Sequence, residues 1–242
     1  MSMGELLYEG KAKRVFATDD PDVVIQYFKD DATAFNALKK GTIAAKGILN
    51  QRISAHLFEV LAAKGIVTHY IETLSTRQMK IRKVSIIPLE VVVRNRVAGS
   101  LAKRLGREEG EVLAKPLIEF YYKDDALGDP LVCADHAIAF GWATAEEIVE
   151  LRVQAATING VLKERLAQAG IDLIDFKLEF GKTRQGEILL ADEISPDTCR
   201  YWDVNTGEKL DKDRFRRDLG GVEEAYLEVA RRLGLPTTVE ED

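Results

Sequence analysis

Short apolar runs dominate the first hundred residues. They fall at Leu6–Glu9 and 12–17 on either side of Gly10, then at Val23–Phe28, 68–73, 79–82 and the valine-rich 89–97. Runs of this length, bounded by turn residues and rich in β-branched side chains, predict strands. Gly10 predicts a hairpin turn between the first two. Three other segments carry the helical period. Residues 43–64 place Leu49, Ile53, Leu57 and Leu61 on one stripe ahead of Gly65. The second helix opens on Thr144-Ala145-Glu146-Glu147, a capping box, and continues through Ile148, Leu151, Ala155, Ile158, Leu162 and Leu166 toward Gly170. The third, 222–233, stops at Gly234 with Pro236 behind it. These stripes read as core faces without chemistry. Between the last two helices, 172–181 and 187–194 flank the turn 182–186 and predict a strong hairpin. Strands, helix, strands, helix, hairpin, helix is the order of an α+β fold, not of a doubly wound sheet. No repeat or linker interrupts the 242 residues, and a soft boundary falls between Lys80 and Leu89.

Composition narrows the class. Hydrophobic residues at 46% and charged residues at 31% are ordinary for a soluble globular chain. The net charge of −6 argues against a nucleic-acid partner, which needs a basic face, but leaves room for a basic pocket. Cys133 and Cys199 form no C-x-x-C pair, so a reducing cytoplasm is expected. Residues 1–8 lack the basic start and apolar run of a signal peptide, and no stretch predicts a membrane span. His56, His69 and His136 are too scattered for a histidine-built zinc site.

The acidic hairpin is the most informative segment. In Leu173-Ile174-Asp175-Phe176-Lys177-Leu178-Glu179-Phe180-Gly181, strand alternation turns Ile174, Phe176, Leu178 and Phe180 into a core and sets Asp175, Lys177 and Glu179 in a row on the other face. The return strand brings Asp192 and Glu193. With Lys177 opposite Asp192, Glu179 lies diagonal to Asp192, within reach of a shared cation; a one-residue slip exchanges Asp192 for Glu193. Mg²⁺ takes one or two carboxylates and completes its shell with water and phosphate oxygens. A solvated, charged strand face explains the same pattern equally well. The following loop, Ser195-Pro196-Asp197-Thr198-Cys199-Arg200-Tyr201-Trp202-Asp203, adds a rigid turn, an acid and a guanidinium suited to phosphate or carboxylate. Against this stands a structural loop anchored by Trp202.

Three further segments bear on anions. Glu9-Gly10-Lys11-Ala12-Lys13 is a lysine-bearing hairpin tip that can close over nucleotide phosphates, although it is no Walker loop. The run Pro88-Leu89-Glu90 to Arg94-Asn95-Arg96-Val97-Ala98-Gly99-Ser100 ends a strand in arginines just where Gly99 and Ser100 open a helix, a ready anion site or a plain capped helix. The acidic loop from Lys123 to Pro130 and the start Asp211-Lys212-Asp213-Arg214-Phe215-Arg216 have ordinary surface readings beside functional ones. Alone, these residues allow an ATP-using enzyme, a small-metabolite kinase or an ATP-binding regulatory module.

Taken together, they resemble the SAICAR synthetase family over nearly the full length. Ile86 to Ser100, the Asp175–Gly181 core and the run Asp192-Glu193-Ile194-Ser195-Pro196-Asp197 with Arg200 are the specific matches; 132–142 matches loosely, and Thr198-Cys199 departs from the pattern. The resemblance implies a small β-rich N-terminal domain (1–84) that covers a nucleotide, over a larger α+β domain (85–242) that carries metal and substrate sites. It implies a kinase- and ATP-grasp-like arrangement, with ATP in the cleft between the two. It implies that ATP and Mg²⁺ are used to join the carboxylate of CAIR to the amine of L-aspartate, in a cytoplasmic homodimer with no nucleic-acid or membrane partner. By resemblance, Lys11, Lys13, Ile86, Lys123, Glu179 and Asp192 hold ATP, with Glu179 and Asp192 on Mg²⁺. Arg94, Ser100, Asp129, Asp197, Arg200 and Arg216 hold CAIR, with Arg94, Ser100 and Arg200 on its 5′-phosphate. Asp175 and Lys177 are the catalytic candidates, Asp175 as a base for the amine and Lys177 between the two anions.

Overall fold

A computed structural model describes residues 3–34 and 39–240. Residues 1–2 and 241–242, the outer ends of the two expected divisions, lie outside them. The chain opens with three antiparallel strands, β1 (Leu6–Glu9), β2 (Lys13–Ala17) and β3 (Val23–Phe28). A small hairpin of β4 (Asp31–Ala34) and β5 (Lys39–Thr42) follows, which the apolar pattern did not predict. Helix α1 (Lys46–Ala63) begins three residues later than the expected Ile43, because Ala45 adopts a left-handed conformation (φ 59°) just before it. Strands β6 (Tyr70–Ser75) and β7 (Gln78–Arg82) return to complete a five-stranded sheet ordered β1-β2-β3-β7-β6.

A second sheet starts almost at once with the long β8 (Ser85–Arg96), followed by α2 (Gly99–Leu105), β9 (Val112–Tyr122), β10 (Leu131–Val132) and α3 (Ala134–Ala139). Helix α4 (Ala145–Gln168) has the expected capping box: Thr144 Oγ1 accepts from Glu147 N–H, and Glu147 accepts from Thr144 N–H. Then come β11 (Ile171–Lys182), β12 (Ile188–Ala191), β13 (Cys199–Asp203), α5 (Asp213–Arg216) and α6 (Val222–Arg232). The sheet runs β10-β9-β8-β11-β12, with β13 also on β11. The segment from Cys199 was expected as loop; it is a strand because its main chain pairs with the first half of β11, Ile171 to Phe176.

The helix α4 stripe is buried against β8, β9 and β11, and α1 packs on α4 and α6 as well as on β3, β6 and β7. Each fully buried Leu or Ile of these stripes contributes about 1.5–3 kcal/mol. Among the described residues no helix is long and apolar enough to cross a membrane. The face of the second sheet turned away from α4 is the one that carries charge.

Candidate active site

On β11 the alternation holds. Ile174, Phe176, Leu178 and Phe180 are buried on the helix side, while Asp175, Lys177 and Glu179 line a cleft. Antiparallel β8 sets Arg94 opposite Asp175, Val92 opposite Lys177 and Glu90 opposite Glu179. Strand β9 continues the row with Tyr121 beside Glu90 and Glu119 beside Val92. The other edge of β11 is divided. Strand β12 pairs with 179–182, β13 pairs with 171–176, and between them Lys177 N–H donates to Thr198 O at 2.9 Å. The chain from Asp192 to Thr198 loops out of that gap.

The register differs by one residue from the expected one. Glu179, not its neighbour, faces Ala191, so Lys177 is not opposite Asp192. Plain alternation would then send Asp192 to the helix side. Its backbone is left-handed instead (φ 62°), which ends β12 and turns the carboxylate into the cleft. A hydrophobic pattern cannot reveal such a local break in the strand.

The result is a cluster of ammonium and carboxylate groups. Lys177 Nζ contacts Glu179 Oε1, lies 3.1 Å from Glu90 and 3.7 Å from Asp192. Lys123 Nζ is 2.5 Å from Glu179 Oε2. Lys13 reaches from β2 to Asp192 Oδ1 and lies 2.9 Å from Glu193. Burial opposes the charge of each group, yet the neighbours win. Asp192 and Glu193 hold the Lys13 ammonium well above its ordinary value, and Glu179 and Asp192 do the same for Lys177. Lys177 and Lys123 in turn hold Glu179 below its ordinary value, and Lys13 and Lys177 hold Asp192 well below. Three ammonium groups against four carboxylates leave an excess of one negative charge. Glu179 and Asp192 share one cation, Lys177, so both can reach a common divalent ion. Among the described residues no third acid or imidazole joins them as a complete ligand set. Mg²⁺ accepts that arrangement, because phosphate and water oxygens fill its remaining positions.

The other end of the row is built on guanidinium groups. Arg94 is buried, and all its nitrogens are engaged: Nε with Glu119 (2.7 Å), Nη1 with Asp175 (2.6 Å), Nη2 with Ser100 Oγ and Tyr121 OH (3.1 Å each). Arg200 donates through Nη1 to both oxygens of Asp175 (3.0 and 2.9 Å) and through Nε to Asp213 (2.9 Å). Its Nη2 lies against Gly99, where a Cβ would sit only 2.4 Å away. Ser100 stands within the first turn of α2, and the N-cap position belongs to Ala98. Arg216 donates to Asp213 at 2.7 Å.

The remaining candidates line the same cleft, of about 1440 Å³. Lys11 Nζ spans it to Asp125 at 2.6 Å, tying the hairpin tip to the Lys123–Pro130 loop. Exposed Ile86 faces it from β8. Asp129 accepts from Asp124 N–H (3.0 Å) within its own turn. Asp197 is bound on both oxygens, by Lys46 Nζ (2.8 Å) and Tyr226 OH (2.6 Å), so its main contacts are to α1 and α6. Every residue assigned to the site by resemblance therefore lines this cleft, whereas Arg96, the other arginine at the end of β8, turns away to Asp172 and Gly110 O. Sequence reasoning missed Glu90, Gln26, His69 and Lys212, which also line the cleft, and the requirement for glycine at position 99. Burial, against the pull of Asp197, lowers the Lys212 pKa. It also drives the His69 imidazole down to about 3, leaving the ring neutral. Only the tertiary fold reveals these: Gln26 and His69 are single polar residues within strand runs, and Glu90 and Lys212 fall in segments already noted but carry no local sign that they face the cleft.

The sequence profile of the SAICAR synthetase family matches residues 6–233. A phosphoribosylaminoimidazole-succinocarboxamide synthase of Magnetococcus marinus is 62% identical over 237 residues, covering 97% of this chain and 98% of the relative. The crystal structure of the enzyme of that name from Ehrlichia chaffeensis superposes with a TM-score of 0.94 at 49% identity, over 96% of this chain and 99% of the other. A SAICAR synthetase in complex with ADP superposes with a TM-score of 0.92 at 48% identity, over 98% and 99% of the two chains.

Proposed function

Because this chain belongs to the SAICAR synthetase family, we propose that it joins the carboxylate of CAIR to the amine of L-aspartate at the expense of ATP, through an acyl phosphate. The observation that carries this reading is the two-ended row on β11. An ammonium–carboxylate cluster at Glu179 and a guanidinium pair at Asp175 lie four residues apart, about 13 Å along a strand. That separation gives the phosphate of a ribonucleotide and its base-borne carboxylate different ends of one cleft. The ADP complex of a relative supports the use of a nucleotide, and we place it at the cluster end, where the ammonium groups gather.

In this reading Lys11 and Lys13 cover the ATP phosphates, Ile86 lies along the base, and Lys123 neutralises the phosphate tail. Glu179 and Asp192 would hold Mg²⁺, whose charge offsets the repulsion between triphosphate and an already acidic cluster. Lys177 stands between the two reacting anions. A CAIR carboxylate oxygen attacks the γ-phosphorus and ADP leaves. The aspartate nitrogen then attacks the acyl carbon, and phosphate departs with one former carboxylate oxygen. Arg200, backed by Ser100 and Arg94, reads the 5′-phosphate, with Arg216, Asp129 and Asp197 bordering the ribonucleotide. Asp175 has both oxygens occupied by guanidinium groups, so we assign it to orienting Arg200 in place of the base role first considered. Residues 1–84 would form the covering domain, although α1 packs against α4 and α6 of the other half as well as β3, β6 and β7 of its own. A cytoplasmic homodimer is proposed on family membership alone, and sedimentation would weigh the dimer.

Carboxylate-labelled ¹⁸O-CAIR tests the chemistry. One label per turnover is expected in the inorganic phosphate released with L-aspartate, read by mass spectrometry. Product formed with wholly unlabelled phosphate would rule out the acyl phosphate.

Gly99 offers a second test. Its left-handed backbone (φ 54°) and contact with the pinned Arg200 both exclude a side chain. Gly99→Ala should cost about 1–2 kcal/mol from backbone strain alone. It should also displace the guanidinium, raising KM for CAIR far more than KM for ATP. Equal changes in both constants would show that Gly99 does not serve the phosphate end.

A further inference from the structure

We propose that Asp213 is a positioning residue: its buried carboxylate holds Arg200 and Arg216, one on each oxygen, and so fixes the pair of guanidinium groups that the cleft presents to an anion. The function of the pair rests on the reading of this end of the cleft as the seat of the CAIR 5′-phosphate. The hub itself rests on the geometry around Asp213.

Asp213 opens the single turn α5, and residues three and four places on share its face. Arg216 donates through Nη1 to Asp213 Oδ1 at 2.7 Å, and Arg217 Nη2 lies 3.3 Å from Oδ2. Arg214, one place on, points elsewhere, to Gly220 O and Glu208. The third guanidinium comes from β13, where Arg200 donates through Nε to Oδ2 at 2.9 Å. Asp213 is 1% exposed, so these arginines stand in place of water. Burial alone would raise its pKa, but Arg200 and Arg216 hold it well below the ordinary range, and the carboxylate stays charged.

The backbone of Asp213 is anchored to the strand that bears Arg200. Its N–H donates to Asp211 Oδ1 at 2.7 Å, and Asp211 Oδ2 accepts from Tyr201 N–H at 2.9 Å. Leu210 N–H adds a bond to Tyr201 O, and Lys212 N–H one to Pro196 O. The three arginines differ in what else holds them. Arg200 also has Asp175, and Arg217 donates through Nη1 to Glu109 at 2.8 Å, in the loop after α2. Arg216 makes no other side-chain hydrogen bond among the described residues, and its side chain is 30% exposed. Neighbouring cations repel each other, and solvent is open to Arg216. Asp213 is what keeps it beside Arg200. With both guanidinium groups held at the cleft, a phosphate dianion can engage the two together.

Asp213→Asn keeps the shape of the side chain, leaves one acceptor and turns an NH₂ toward a guanidinium. KM for CAIR should rise by about tenfold or more, the scale of one charge-assisted hydrogen bond. At saturating CAIR, kcat should stay within about threefold, as should KM for ATP, because the pair holds substrate and transition state alike. On an Arg216→Gln background the same replacement should raise KM for CAIR much less, since one of the cleft-lining partners of Asp213 is already gone. A crystal structure of Asp213→Asn should show Arg216 displaced relative to Arg200. If Asp213→Asn does not fold, Asp213→Glu keeps the charge, moves it by one methylene and carries the same tests. Unmoved arginines in a folded variant would overturn the hub, as would KM increases that multiply in the double variant, or equal rises in KM for CAIR and ATP. Displaced arginines with an unchanged KM for CAIR would uphold the hub and overturn the phosphate reading on which its function rests.

Discussion

Glu179→Gln and Asp192→Asn should each lower kcat by at least about 100-fold, the scale on which loss of one preorganised electrostatic group acts. Both replacements keep the shape of the side chain and remove one charge from a cluster that needs it. The cluster has four carboxylates against three ammonium groups, and Lys177 bridges the two acids concerned. Removing either acid leaves Lys13, Lys123 and Lys177 to bind the triphosphate directly. ATP affinity should then hold or rise without metal, while the metal requirement rises. Stability responds differently. Lys13 and Lys177 hold the Asp192 carboxyl far below its ordinary value, so its charge contributes stability that is present above about pH 4. That contribution fades only in strong acid, where the folded protein finally takes up the proton. Asp192→Asn should therefore melt lower than the parent at neutral pH, with the difference shrinking as pH falls. Near-parental turnover of either variant at saturating Mg²⁺ would remove the metal assignment.

What the sequence revealed follows from where periodicity reaches. The capping box at Thr144, the α4 stripe and the two faces of β11 are local patterns, and each stands in the fold as expected. The row Asp175, Lys177 and Glu179 needed nothing beyond strand alternation. Asp192 shows the opposite case. Its expected register was wrong by one residue, yet its carboxylate reaches the cleft, because a left-handed backbone reverses the face. No apolar pattern encodes that reversal; the tertiary contacts around it do. Strand β13 was read as loop for a related reason. Its pairing with the first half of β11 depends on how 192–198 leaves the sheet, a non-local matter. Gln26 and His69 are isolated polar residues whose burial only the packed structure creates. The grouping of acids and arginines was legible, whereas the partners of each arginine were not.

Asp175→Asn should destabilise the protein and selectively weaken the ribonucleotide. The carboxylate is 3% exposed and accepts from Arg94 and Arg200 at 2.6 to 3.0 Å. An asparagine keeps one acceptor but turns an NH₂ toward two guanidinium donors. Breaking a buried pair by removing one partner costs about 3–5 kcal/mol. Here Arg94 retains Glu119 and Arg200 retains Asp213, so the lower end, about 3 kcal/mol, is expected. For a chain of this size that corresponds to a Tm lower by roughly 6–12 °C. Released on one side, Arg200 no longer presents a fixed fork over Gly99. KM for CAIR should rise steeply while KM for ATP holds, because the ATP cluster lies at the other end of β11. A general base predicts another pattern: collapse of kcat with both KM values intact and little change in Tm. Kinetics at saturating CAIR, set beside a melting curve, separate the two roles. If kcat alone collapses, Asp175 takes the amine proton and its hold on the arginines is incidental; if Tm and KM for CAIR move together, the carboxylate serves by keeping Arg200 in place.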